Sequence, residues 1–469
     1  MSWRTRPRGH WDADFVLLLS FYGLEIAAAA VLLALHRLGD RALLSELRSV
    51  PALVLFGACL ALLVSSCVIV LRLTRYAPAG RKVFAPTLGL NLLSVVVAFA
   101  IGESATRISA VEGPGVPVAF DTFLLPRSWE ATKTRNRALV AEIDAGKTRF
   151  VTDRFLGWTL GPSRRSAGGM YQSSTEGIRS ARSGVSFSES SPRYRIALVG
   201  DSHTYGEEVS YEGTWGQQLQ EALGADFQVL NFGVPGYGID QAYLRYKRDV
   251  LPWHPDYVIF GVVPSDVYRS MTIYTFIAFP QWDYPFSKPR FVLQRDGIGL
   301  LNVPLRTPEE LWSTGSIKNL PYVEHDISFD PREWQWHLYD ASYLTRFALS
   351  AYPPTREVPE ALSKRTTLAI NREILAEFLR LAAREGSVPI LVYLPSRRDM
   401  QASTSGANAS IRQIVRDLGA PYIDLTGVLE KIPAEKRHTP GGHYTPSTNR
   451  VVAERLKTLI LQQVSRRHD

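Results

Sequence analysis

A serine stands where a short apolar segment ends, between two other polar residues. The stretch RIALVGDSHTYGEEV covers residues 195–209, and residues 196–199 are typical of a buried strand. Ser202 follows directly, flanked by Asp201 and His203. A serine hydroxyl becomes a nucleophile when a base takes its proton, and histidine is the usual base because its pKa lies near neutral pH. Gly-Asp-Ser at a strand end is also an ordinary turn composition, so the triplet alone does not establish catalysis.

Two histidines are candidates for the base. His203 is adjacent in sequence, but its side chain would have to fold back across the turn. His443 lies in PGGHYTPSTNRVVAERL, in a predicted loop just before the last helix. A loop at the carboxyl end of a parallel sheet would bring His443 to Ser202, and we expect His443 to be the base.

The elements that must position these residues alternate along the chain. Strands are predicted at 196–199, 227–234, 256–263, 388–394 and 421–425, separated by amphipathic helices. This alternation predicts an α/β fold with a flavodoxin-like doubly wound parallel sheet. Ligands bind such sheets at the carboxyl ends of the strands, where Ser202 is placed.

Four segments resemble the blocks of the SGNH (GDSL-type) hydrolase superfamily, in the same order. They are VGDSHTYGEEV, NFGVPGYG, GVVPSDV and GGHYTP. LGW (156–158) and EGIRS (176–180) also look like the lead-in of membrane-anchored bacterial members. The resemblance spans roughly residues 150–465 and implies the SGNH hydrolase fold and cleavage or transfer of acyl esters.

The resemblance also implies roles for individual residues. Ser202 would be the nucleophile and His443 the base, and the backbone N–H groups of Ser202 and Gly236 would form part of the oxyanion hole. The third block usually ends in Asn-Asp, and Ser265 stands in the place of the asparagine that donates to the oxyanion. His203 is expected at the substrate mouth.

The acid that orients the histidine has no obvious counterpart. Family members usually carry an aspartate three residues before the histidine, where this chain has Pro440. Asp424, Glu430, Glu435 or a backbone carbonyl are the alternatives, and a Ser-His dyad remains chemically possible.

The first hundred residues predict three transmembrane helices ahead of this fold, at 15–35, 51–71 and 84–102. The N-terminal tail and the second loop together contain more basic residues than the first loop. This distribution favours a cytoplasmic N-terminus. We therefore expect a multi-pass protein of the bacterial inner membrane with an extracytoplasmic C-terminal domain. Two crossings would instead leave that domain in the cytoplasm.

The predicted organisation is a cytoplasmic tail (1–14), a membrane anchor (15–108), a connecting region (109–190) and the hydrolase-like domain (191–469). An insertion at 267–364 interrupts the last of these and is rich in aromatic residues, most of which we expect in a satellite core and one or two at the substrate. Within it, KPRFVLQRDGIGLLNVP predicts a hairpin with Asp296-Gly297 at its turn.

The amino-acid composition argues against some classes of binding partner. The net charge of +8 comes mostly from scattered arginines, which does not favour nucleic-acid binding. Both cysteines, Cys59 and Cys67, lie in the second predicted span, so neither a disulfide nor a thiolate metal site is expected beyond it. No cofactor is implied.

The sequence thus predicts a serine esterase or O-acyltransferase acting on acylated envelope glycans or lipids. The alternative is a catalytically degenerate module of the same fold that binds a glycan or a membrane protein partner.

Overall fold

The computed structural model describes residues 99–468 except 352, 354, 355, 357 and 402–408. Residues 100–469 form one compact unit. Its centre is a parallel sheet of five strands: β1 (Tyr194–Val199), β2 (Phe227–Asn231), β3 (Tyr257–Val262), β4 (Val388–Tyr393) and β5 (Tyr422–Asp424). The spatial order is β5-β4-β3-β1-β2, which is the flavodoxin-like order predicted from the alternating pattern.

Each face of this sheet has its own core because successive residues of a strand point to opposite sides. Along β1, Ala197 and Val199 pack in one core, and Ile196 and Leu198 pack in the other. One face is covered by helices Trp215–Leu223 and Pro446–His468, and the other by helices including Lys364–Arg384 and Ile239–Arg245. The sheet is therefore doubly wound.

The remaining elements surround this centre. The other α-helices are Trp129–Asp144, Ser202–Tyr205, Pro264–Arg269, Thr275–Ala278, Pro308–Trp312, Tyr343–Ala351, Arg397–Gln401, Ala409–Asp417, Thr426–Leu429 and Ala434–Arg437. A π-helical turn spans Tyr246–Val250, and 3₁₀ turns span Tyr211–Gly213, Leu251–Trp253, Ile317–Asn319, Val323–His325, Pro331–Trp334, Leu338–Ala341 and Glu360–Leu362. Antiparallel ribbons pair Val118–Ala119 with Thr122–Phe123, Phe150–Asp153 with Gly157–Leu160, Gln172–Ser173 with Arg179–Ser180, and Arg290–Gln294 with Gly297–Leu301.

The region predicted as a connection contributes directly to the hydrolase core. Leu156, Trp158 and Ile178 are completely buried in the same core as one face of the sheet. Residues 161–192, which are rich in serine and glycine and are predicted as loop, are mostly turns and irregular structure, with the short strands Gln172–Ser173 and Arg179–Ser180. The hairpin predicted in the insertion is present, but its turn lies one residue earlier than predicted: Gln294 pairs with Gly297, and Arg295 and Asp296 form the turn.

The three predicted transmembrane helices require correction. In the described residues no helix is long and apolar enough to cross a membrane. Residues 15–35, 51–71 and most of 84–102 lie outside the part that the structure describes. The end of the third segment belongs to a helical stretch at 99–109, where Glu103 caps the helix Tyr343–Ala351 through its backbone amides. A span needs roughly twenty apolar residues. The described residues therefore do not support the predicted three-helix anchor or the multi-pass membrane location.

Candidate active site

Ser202 lies at the carboxyl end of β1, as the sequence predicts. It is the first residue of the short helix Ser202–Tyr205, whose N-cap is Asp201. The Asp201 carboxylate accepts a hydrogen bond from the His203 N–H at 2.9 Å and so fixes the turn that presents the serine. Ser202 is 7% exposed, which leaves its hydroxyl in a secluded but reachable position.

His443 reaches this serine from the other end of the domain. It lies in the loop between helices Ala434–Arg437 and Pro446–His468, 241 residues after Ser202. Its Nε2 is 2.9 Å from the Ser202 Oγ. The loop is held by a bridge between His438 and Tyr444 and by a hydrogen bond from the Thr439 N–H to the His443 carbonyl. The fold thus brings together the two side chains that sequence reasoning paired.

Glu208 occupies the position of the orienting acid. Its Oε2 lies 2.6 Å from Nδ1 of His443 and also accepts from the Thr439 hydroxyl at 2.7 Å. Its Oε1 accepts from the Gly441 N–H at 2.7 Å. A carboxylate that is hydrogen-bonded to Nδ1 favours the tautomer in which Nδ1 carries the proton. Nε2 is then free to accept the serine proton. Ser202, His443 and Glu208 therefore have the geometry of a Ser-His-acid relay.

The backbone at Glu208 is constrained. Its φ of +65° lies in the left-handed region, which is uncommon for a residue other than glycine. Its N–H donates to the Tyr171 hydroxyl at 2.9 Å, and the neighbouring Glu207 forms a two-point ion pair with Arg149. These contacts support a conformation that directs the Glu208 side chain towards the histidine loop.

The acids suggested by the sequence do not fill this role. Asp424 ends β5, and its carboxylate accepts from the Thr426 N–H. Glu435 is exposed on helix Ala434–Arg437. Pro440, where family members carry the acid, offers only its carbonyl, which accepts from Arg397. The sequence pattern did not predict the role of Glu208, although the acidic pair Glu207 and Glu208 follows Ser202 closely.

The pKa values of the relay suit a base at neutral pH. Burial and the charge of His203 lower the pKa of His443, and the hydrogen bond that His443 donates to Glu208 partly opposes this shift. Burial raises the pKa of Glu208, but hydrogen bonds from His443, Thr439 and the Gly441 amide outweigh it and lower that pKa to about 2. His443 is therefore neutral and Glu208 is charged near pH 7.

The expected oxyanion donors lie beside the serine strand. Among the described residues, the N–H groups of Ser202 and Gly236 donate to no protein acceptor. Gly236 has φ +84°, and a β-carbon there would come within 2.6 Å of the Tyr284 ring, so only glycine fits. Ser265 lies half-buried near the start of helix Pro264–Arg269, at the carboxyl end of β3. Its role as a third donor stays a prediction.

His203 lies against the base. It is 9% exposed, and its ring centroid is 4.9 Å from that of His443 and 5.1 Å from that of Tyr444. Its Nδ1 is 3.7 Å from Asp201 Oδ2, and neither ring nitrogen makes a hydrogen bond to the described residues. A role at the substrate mouth stays a prediction. Within the described part of the chain, no three histidine, cysteine or acidic side chains cluster as a metal site would require.

The aromatic residues of the insertion divide by exposure. Phe286 and Trp312 are buried in hydrophobic cores, and Trp336 and Tyr339 are more than half exposed. Tyr284 is half-buried, with its ring against Gly236. Trp282 lies 5.5 Å from Tyr284 and stacks on Phe279 at 4.1 Å, measured between ring centroids. An aromatic strip of Tyr284, Trp282 and Phe279 therefore begins at the expected oxyanion hole.

The fold and these contacts define a serine hydrolase of the esterase class. Residues 196–283 match the model of the GDSL-like lipase/acylhydrolase family, which confirms the resemblance to the SGNH hydrolases. The match ends before His443, so the pairing of Ser202 with His443 comes from the structure. Among curated proteins, none matches the chain at a significant level.

Solved structures with a similar fold include three acyl hydrolases. One is a putative lipolytic protein of the G-D-S-L family from Desulfitobacterium hafniense (14% identity, TM-score 0.30, 56% of this chain and 98% of that chain). Another is the acetyl xylan esterase AlAXEase, with 14% identity and a TM-score of 0.30 over 57% of this chain and 99% of that chain. A third is a lipase/acylhydrolase from Enterococcus faecalis, with 16% identity and a TM-score of 0.30 over 58% of this chain and 96% of that chain. Because these values are low, the assignment depends on the family match and the site.

Proposed function

We propose that Ser202 is the nucleophile of an acyl-ester hydrolase and that His443 is its general base. The observation that carries this proposal is the continuous contact from Ser202 Oγ to His443 Nε2 at 2.9 Å and from His443 Nδ1 to Glu208 at 2.6 Å. Glu208 orients the imidazole and stabilises the imidazolium that forms when the serine proton is transferred.

The reaction has two halves. The Ser202 oxygen forms a bond to the ester carbonyl, and the tetrahedral oxyanion accepts hydrogen bonds from the amides of Ser202 and Gly236. The bond to the leaving alkoxide then breaks, and His443 returns its proton to that oxygen. Water in the second half gives hydrolysis, and a sugar hydroxyl in its place gives O-acyl transfer.

We propose an acylated glycan as the substrate. The support is the aromatic strip of Tyr284, Trp282 and Phe279, which begins at Gly236 and is half-buried. Aromatic rings that are only partly buried offer apolar contact to the C–H face of a sugar, and their low flexibility limits the entropy lost on binding. An acyl lipid is the competing substrate class, and its long chain would need more apolar surface than this strip.

A degenerate binding module was the main alternative. It was suggested by the absence of an acid before His443 and by Ser265 in place of asparagine. The contact between Glu208 and His443 argues against the first reason, because Glu208 can supply a carboxylate from the block that also carries the serine. The second reason is tested directly by Ser265→Asn, which should raise ester turnover if the oxyanion hole lacks a donor.

The proposed function is tested with a fluorophosphonate probe and chromogenic esters on the purified protein. Wild type should be labelled, and Ser202→Ala should not. Turnover of acetylated xylo-oligosaccharides should exceed turnover of a p-nitrophenyl ester with a long acyl chain. A preference for the long chain would overturn the glycan assignment, and labelling that survives Ser202→Ala would overturn the nucleophile. Adding free oligosaccharide and measuring acetylated product separates transfer from hydrolysis.

A further inference from the structure

A buried cluster of charges lies beneath the proposed nucleophile. Nη1 of Arg269 donates to Asp201 Oδ2 at 2.9 Å and to Asp266 Oδ1 at 2.7 Å. Both carboxylates are almost completely buried, and the arginine side chain is 12% exposed. The same nitrogen lies 3.4 Å from the carbonyl oxygen of Tyr237. Arg269 thus connects the ends of β1 and β3 with the loop that carries Gly236.

The cluster reaches the serine hydroxyl through one oxygen atom. Asp201 Oδ2 is 3.4 Å from Ser202 Oγ, and His443 Nε2 is 2.9 Å from it. The hydroxyl has a single proton, so it can donate to only one of these acceptors at a time. Donation to His443 leads to a nucleophile, whereas donation to Asp201 turns the proton away from the base.

Arg269 occupies the competing acceptor. Its N–H group and the serine hydroxyl approach the same oxygen of Asp201, while the other oxygen is held by the His203 N–H at 2.9 Å. A charge-assisted hydrogen bond from a guanidinium is stronger than one from a neutral hydroxyl. The arginine therefore weakens the attraction of Asp201 for the serine proton.

The charge balance of the cluster agrees with this arrangement. Burial and the charge of Asp201 raise the pKa of Asp266 well above its usual range. Burial also opposes ionisation of Asp201, but the contacts of His203 and Arg269 lower the pKa of Asp201 well below its usual range. Asp201 is thus the charged carboxylate beside the nucleophile, and Arg269 is its cation.

We propose that Arg269 is a positioning residue for Ser202, because it binds the Asp201 oxygen that would otherwise draw the serine hydroxyl away from His443. This inference rests on the proposed function, in which Ser202 is the nucleophile. Neither the resemblance nor the family match assigns a role to Arg269.

The test is a double-mutant cycle measured as the rate constant of fluorophosphonate labelling per folded molecule. Arg269→Met should slow labelling about a hundredfold, as misplacement of a reacting group does. Asp201→Asn keeps an N-cap acceptor for His203 but removes the charge. The double variant Asp201→Asn/Arg269→Met should therefore label about tenfold faster than Arg269→Met alone, a coupling that the cycle isolates.

The outcomes separate this inference from the proposed function. A wild type that is not labelled, or is labelled equally in Ser202→Ala, overturns both. If wild type is labelled normally but the double variant is labelled no faster than Arg269→Met, only the positioning role is overturned. In that case the losses from the two single substitutions add, as they would if Arg269 acted only through stability. Arg269→Lys keeps the charge but loses the planar fork. It should label about tenfold more slowly than wild type, and an unchanged rate also overturns the proposal.

The matched control is Arg245→Met. Arg245 is 2% exposed, and so more deeply buried than Arg269. It donates to Thr159 and to the Gly177 carbonyl, not to a residue of the relay. It should lower thermal stability and leave the labelling rate of the folded protein within about twofold of wild type. A loss equal to that of Arg269→Met would overturn the positioning role.

Discussion

Glu208 Oε2 lies 2.6 Å from Nδ1 of His443, and the two residues are 235 positions apart in the chain. The contact places the acid on the strand-to-helix segment that also presents Ser202, while the base comes from a loop near the other end of the domain. The relay therefore assembles only when the first strand of the sheet and the last helix are in their final positions.

Replacing Glu208 should impair the chemical step. Glu208→Gln keeps the size of the side chain but removes its charge and weakens its hold on the tautomer of His443. We expect kcat for p-nitrophenyl acetate to fall about a thousandfold, with a small change in KM. The matched control is Glu435→Gln, because Glu435 is exposed on helix Ala434–Arg437. An equal loss in both variants would contradict the assignment of Glu208.

The pH profile should report the lowered pKa of His443. Burial and the charge of His203 lower that pKa from its ordinary 6.5, so the base stays neutral into mildly acidic solution. The acid limb of kcat/KM should therefore have its midpoint below pH 6.5. Because Glu208 raises the pKa of His443, Glu208→Gln should move the limb to still lower pH. A limb above pH 7 in wild type would be inconsistent with this environment.

A methyl group at Gly441 should disturb the acid without unfolding the domain. A β-carbon there would lie 2.4 Å from Oε1 of Glu208, whose flexible side chain can move away at little cost in stability. The displaced carboxylate would no longer hold His443, and we expect Gly441→Ala to lower kcat about a hundredfold. Gly427→Ala is the control, since a β-carbon at Gly427 meets open space. Full activity of Gly441→Ala would show that the loop accommodates both groups.

The insertion should be fixed to the sheet domain by a buried ion pair. Lys288 of the insertion binds Asp240 of helix Ile239–Arg245, and both side chains are almost fully buried. Removing one partner leaves an uncompensated charge, so Lys288→Met should lower the free energy of unfolding by about 3–5 kcal/mol. The double variant Asp240→Asn/Lys288→Met should recover part of that loss. Urea unfolding measures both, and additive losses would argue against the pair.

The sequence predicted the sheet from local apolar patterns, and it predicted the Ser202–His443 pair from the sheet topology and the resemblance to the SGNH hydrolases. Apolar strands of four to eight residues are visible in the chain, and the strand order follows from right-handed connections. Glu208 could not be assigned in the same way, because its role depends on a left-handed backbone and on a loop more than two hundred residues away.

The buried polar contacts of Arg269 could not be predicted from the sequence pattern either. Arg269 is one of many arginines in the sequence, and nothing in its spacing distinguishes it. Its position under Asp201 appears only when β1 and β3 are adjacent in the folded sheet. The aromatic strip is an intermediate case, because the abundance of aromatic residues in the insertion was evident but their order relative to Gly236 was not.

The most direct test of the account is to stop the reaction with p-nitrophenyl acetate after milliseconds and locate the acetyl group by peptide mass spectrometry. The account predicts one acetyl group on Ser202 in wild type and none in either Ser202→Ala or His443→Ala. Acetylation of another residue, or a burst of nitrophenol that persists in Ser202→Ala, would contradict it.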